Sequence, residues 1–139
     1  MIYLRKIRLV IISIICITVC SCDEIYECLF DINPEIHKKQ LSVATLGESY
    51  FERITAEINN EVNDDDYLYY FEVVGELPLG IYFERNRRSI SFYGTPEVLG
   101  TYRFRVELFV DYSYDYDSFD NSPTCEESTS ERFTIIVEE

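Results

Sequence analysis

A chain of 139 residues, 47% hydrophobic and 15% aromatic, is long enough for one domain with a packed core and no more. Its 26 acidic residues against 12 basic ones give a formal charge of −14, which repels phosphate backbones and argues against nucleic acid as a partner. One histidine, His37, no phosphate-cradling glycine loop, no zinc signature and no serine motif leave no constellation for catalysis.

Residues 1–8 carry Arg5, Lys6 and Arg8, and residues 9–19 form an apolar run as long as a signal h-region but too short to span a bilayer. The run closes on Val19-Cys20-Ser21-Cys22, which is similar to the lipobox of bacterial lipoproteins: an aliphatic residue, a small residue before the cleaved bond, and a cysteine after it. This resemblance implies that residues 1–21 are a signal peptide and that Cys22 becomes the first mature residue, acylated on its sulfur and its amine. The protein would then be held to a membrane of the bacterial cell envelope, on the periplasmic side or at the cell surface. Acyl chains contribute about 0.8 kcal/mol per buried methylene, so three of them anchor a protein without a spanning helix. Cys20 fits less well, because Val19 would take the small-residue position; an ordinary secretory peptide and an uncleaved anchor are the alternatives. The mature chain keeps nine basic residues against 26 acidic ones, a charge of −17.

With Cys16 and Cys20 in the signal and Cys22 lipidated, Cys28 and Cys125 remain as a pair in an oxidising compartment, and a disulfide is the natural reading. It would close a loop of nearly a hundred residues, which chain entropy values at roughly 4.7 kcal/mol. Two cysteines and His37 are too few soft ligands for a zinc site.

Residues 22–40 read as a tether and entry segment, polar at Asp23, Glu24 and Glu27 and reaching the domain through Leu29, Phe30 and Ile32. The domain itself is expected over residues 41–139. A first strand covers 41–45, and Gly47-Glu48 turns into a second whose Tyr50, Ile54, Ala56 and Ile58 share a face. The polar loop 59–66 leads to a third strand with Tyr67, Tyr69, Phe71 and Val73 on one side. After a turn at 75–78 come a short strand over 79–84, a bend at Asn86-Arg87-Arg88, and a strand over 89–93 with Ile90 and Phe92 inward. Gly94, Thr95, Pro96 and Gly100 form the next turn. Tyr102, Phe104, Val106, Leu108 and Val110 then give the clearest alternation in the chain; a long polar segment, 111–131, precedes a last strand with Phe133, Ile135 and Val137 on one side. Strands of this length with turns near every ten residues and no helical period predict an antiparallel β-sandwich.

The order Leu77-Pro78-x-Gly80-Ile81, Ser89-Ile90-Ser91, Gly94-Thr95-Pro96 and Gly100-Thr101-Tyr102-x-Phe104-x-Val106 resembles the immunoglobulin-like domain of bacterial surface proteins, related to cadherin-like and dystroglycan-type sandwiches. The chain departs from that pattern by inserting Phe92-Tyr93 before Gly94 and by the length of segment 111–131. The resemblance implies an all-β, immunoglobulin-like sandwich of about seven strands. In such a topology the loops 59–66 and 111–131 share one end with the start of the first strand. Glu61, Asp64, Asp65 and Asp66 would meet Asp111, Asp115, Asp117 and Asp120 there.

Three readings of that acidic pole stand open. Glu61, Asp64, Asp65, Asp66, Asp115 and Asp117 offer hard oxygen donors for calcium, although no spaced Asp-x-Asp-x-Asp-Gly loop is present. Tyr112, Tyr114, Tyr116 and Phe119 offer contact area for a protein or glycan. The third is a solvated loop without a ligand. The expected function is a lipid-anchored extracytoplasmic binding or adhesion module, calcium-assisted or not. The alternative is an inhibitor or immunity-type lipoprotein that captures a basic enzyme or toxin.

Overall fold

The computed structural model describes residues 32–112 and 124–139. The signal segment, Cys22, Cys28, and the loop residues Tyr114, Asp115, Tyr116, Asp117, Phe119 and Asp120 lie outside the described residues. Eight strands follow one another: β1 (Pro34–Ile36), β2 (Ala44–Thr45), β3 (Tyr50–Ile58), β4 (Tyr67–Gly75), β5 (Ile81–Asn86), β6 (Ser89–Gly94), β7 (Gly100–Tyr112) and β8 (Ser128–Glu138). They form two four-stranded sheets, ordered β1-β3-β6-β5 and β2-β8-β7-β4. That is the immunoglobulin-like strand order, with the first strand divided between the sheets.

The division explains why eight strands replace the expected seven. β1 runs antiparallel to β3, and β2 runs parallel to β8, so the chain leaves one sheet after Ile36 and joins the other at Ala44. β1 comes from the stretch read as tether and entry segment. Its three residues are too few to show a period of two by themselves. The crossing is held by Glu52 on β3, whose carboxylate accepts the Ser42 amide at 3.0 Å and pairs with the Lys39 ammonium. Burial opposes the charge on Glu52, but those two donors outweigh it and hold the carboxyl below its ordinary range. Beside it, burial and the Glu52 carboxylate push the Tyr50 hydroxyl up to about 12, and that hydroxyl donates to the Ser42 carbonyl.

Alternation decides the core. Ile54, Ala56 and Ile58 from β3, Ile90 and Phe92 from β6, Phe104, Val106, Leu108 and Val110 from β7, and Phe133, Ile135 and Val137 from β8 are all buried. Phe92 and Phe104 meet across the two sheets with ring centroids 4.9 Å apart, flanked by Phe83 at 6.3 Å and Phe133 at 6.0 Å. Each buried phenylalanine contributes about 1.5–3 kcal/mol of transfer free energy.

The segment carrying most of the turn residues closes one end of the sandwich. The Ile81 amide donates to the Pro78 carbonyl at 3.0 Å with Gly80 at φ +89°, so the expected strand over 79–84 starts only at Ile81. The Thr95 amide donates to the Gly80 carbonyl at 3.0 Å and the Glu97 amide to Leu79 at 2.9 Å, joining this turn to the one after β6. The two backbones approach so closely that a Cβ on Gly80 would lie 2.0 Å from the Thr95 carbonyl oxygen, and one on Gly94 would lie 2.1 Å from the Gly80 carbonyl oxygen. Glycine is required at both positions by the neighbour as much as by φ. Pro78 and Pro96 are fully buried beside them. The inserted Phe92-Tyr93 leaves pairing intact: β6 lengthens, with Tyr93 opposite Tyr82 and Gly94 opposite Ile81.

Candidate functional site

The opposite end gathers the start of β1, the loop 59–66, the β5–β6 hairpin and the two ends of segment 111–131. Pro34 pairs with Ile58, and the Asn59 amide donates to the Asn33 carbonyl at 2.8 Å, fixing the entering chain beside the loop. The Cys125 amide donates to the Ile32 carbonyl at 2.9 Å, bringing the far end of segment 111–131 to the same spot. Its near end arrives through β7: Tyr112 pairs with Tyr67, the first residue of β4, and their rings meet edge to face at 5.2 Å. Two stretches some fifty residues apart in sequence thus share one pole with the entering chain, as the topology predicted.

The electrostatics there differ from expectation. Asp64 is only 14% exposed, and both its oxygens are engaged: Oδ1 accepts the Ile58 amide at 2.8 Å and Oδ2 accepts Arg88 Nη1 at 2.9 Å. Arg87 reaches the Asp65 carboxylate at 3.5 Å. Glu61 accepts the Asn63 amide at 2.8 Å through Oε1 and the Tyr67 hydroxyl at 3.4 Å through Oε2. Asp66 ends a short 3-10 turn formed by Asp64–Asp66. Burial, reinforced by the Asp64 charge, pushes the Tyr69 hydroxyl far above its ordinary range, so it stays protonated and donates to the Asp64 carbonyl. Among the described residues no three His, Cys, Asp or Glu side chains are grouped to hold a metal ion. Asp64 is a structural carboxylate, spent on holding the loop to the hairpin.

Arg87 and Arg88 are what sequence reasoning missed. In the sequence they read only as a bend, yet immunoglobulin-like topology also sends that hairpin to this pole, so a signal for their place exists. His37 follows directly on β1 and is half-buried; its Nδ1 is 2.7 Å from the Thr55 hydroxyl and its Nε2 is 3.3 Å from Glu57. No helix among the described residues is long and apolar enough to cross a membrane. In comparisons with known proteins, no family model and no curated sequence matches the chain.

Proposed function

We propose that the chain is a lipid-anchored binding module of a bacterial cell envelope, acylated at Cys22, with its partner surface at the pole where the entering chain, the loop 59–66 and segment 111–131 meet. The lipobox-like run ending at Cys22 and the order of turn motifs from Leu77 to Tyr102 support the bacterial lipoprotein and immunoglobulin-like family reading. The Cys125–Ile32 hydrogen bond is the observation that carries the surface. It ties the base of the Tyr-rich segment to a residue four positions beyond Cys28. Four residues of extended chain reach at most roughly 14 Å, so a Cys28–Cys125 bridge is within span of this contact. Tyr112, Tyr114, Tyr116 and Phe119 would then stand on a stapled base, and the partner is a protein or glycan contacted through their rings.

The partner arm is tested by comparing the full chain with a Tyr114→Ala, Tyr116→Ala variant as bait for envelope extracts. A protein or glycan retained by the first and lost with the second supports the reading; identical retention overturns it. Mass spectrometry of the mature protein tests the anchor, because an unacylated amino terminus at Cys22, or any other first residue, removes it.

The charge of −17 favours a second reading, capture of a basic protein by the acidic surface. Such a complex releases steeply as salt rises, whereas one held by tyrosine contacts does not.

A further inference from the structure

Nine basic residues fall among the described residues, and seven of them are engaged there by a carboxylate, a hydroxyl or a carbonyl. The other two, Arg103 on β7 and Arg132 on β8, are exposed, and their guanidinium groups have no hydrogen-bond or ion-pair partner among the described residues. In a chain with 26 acidic residues that is unexpected, and the two stand together. Phe104 and Phe133 point into the core, so alternation turns Arg103, Arg105 and Arg132 to the outer face of the same sheet. The register sets Arg105 directly opposite Arg132, Arg103 opposite Thr134, and Val74 of β4 opposite Arg105. These residues line an open groove of about 500 Å³.

Like charges directly opposite across a ladder repel. Glu107 answers Arg105, with Nε to Oε1 at 2.8 Å, and leaves the charges of Arg103 and Arg132 standing. A guanidinium presents a planar fork that matches a carboxylate in two parallel hydrogen bonds. Beside the arginines, Val74 supplies an aliphatic wall and Thr134 a hydroxyl. Extended polyanions are disfavoured by the negative body of the protein; only a charge seated within about 8 Å of the arginines escapes that repulsion at physiological salt. The volume is that of a small-molecule site.

We propose that this groove binds a single acidic sugar unit, with its carboxylate on Arg103 and Arg132, a hydroxyl on Thr134 and an apolar ring face on Val74. The site lies on the sheet face and is independent of the loop pole described above.

The test is titration of the full chain, in non-ionic detergent and with 15N label, with digalacturonate, following the Nε–Hε signals of Arg103, Arg105 and Arg132. Saturable shifts are expected, and they should be absent with the methyl ester of the same disaccharide, which keeps the rings and removes the charge. Arg103→Gln and Arg132→Gln should each weaken binding by about tenfold, the scale of one charge-assisted hydrogen bond. Their denaturation midpoints should stay the same or rise, because a like-charge contact is relieved. Arg87→Gln, which changes net charge equally on the other sheet, should leave affinity within about twofold. Equal binding of the ester, of a Glu-Glu dipeptide or of inorganic phosphate would overturn the assignment, as would equal weakening by Arg87→Gln.

Discussion

The two ends of this sandwich are closed by different physics. At one end, backbone meets backbone: the Gly80 carbonyl, the Thr95 amide and the missing side chains of Gly80 and Gly94 leave no room for an added methyl group. At the other, side chains hold the loops, with Asp64 bridging the Ile58 amide to Arg88 and Arg87 reaching Asp65. Hydrogen bonds and exposed ion pairs tolerate replacement in a way that interlocked backbones do not. The first end is therefore where replacement is least tolerated.

The sharpest way to break this contrast is Gly80→Ala. A Cβ placed 2.0 Å from a carbonyl oxygen at positive φ forces the two turns apart, and a loss of about 4 kcal/mol or more is expected from urea denaturation. A loss below about 1 kcal/mol would show that this end yields like the other. Next in size is the proposed disulfide: the paired change Cys28→Ser, Cys125→Ser should cost roughly 3 kcal/mol, less than the chain-entropy value of roughly 4.7 kcal/mol because strain in the bridge offsets part of it. The same loss should follow reduction of the wild-type chain. If reduction leaves the midpoint unmoved, no staple closes the loop pole.

Asp64→Ala should cost about 2 kcal/mol, since it leaves the Ile58 amide and Arg88 without their acceptor. A double-mutant cycle with Arg88→Met should return a coupling of about 1 kcal/mol; a value near zero would reduce the ion pair to a surface contact. The smallest effect belongs to Glu52, whose side chain is 13% exposed. Its carboxyl is held below the ordinary value of 4.5 in the folded state, so its contribution is full above that pH and is lost as pH falls through the lower, folded value. The acid limb of midpoint against pH should flatten in Glu52→Gln, because the variant has no carboxyl there to protonate. An unchanged slope would place the acid sensitivity in other carboxylates.

Long, regularly alternating strands were legible because a period of two puts every second side chain into one core. Tyr102 to Val110 and Arg132 to Val137 needed nothing beyond their own pattern. Strand β1 was not legible: Pro34, Glu35 and Ile36 are stabilised by pairing with β3, and three residues carry too little pattern to announce it. The loop pole was half legible. Topology placed its backbone, but the partnership of Arg88 with Asp64 spans 24 positions and depends on a hairpin reaching across to a loop in the folded chain.

By itself the sequence determined the all-β class, the inward faces and the turn positions, because alternation and the backbone limits of glycine and proline act locally. The tertiary structure decided which charges meet. It divided the first strand between two sheets, set Asp64 against Arg88, and left Arg103 and Arg132 diagonal to each other across the β7–β8 ladder with no carboxylate partner among the described residues. Charge pairing depends on distances of a few ångströms between residues remote in the chain, and only register and loop packing set those distances.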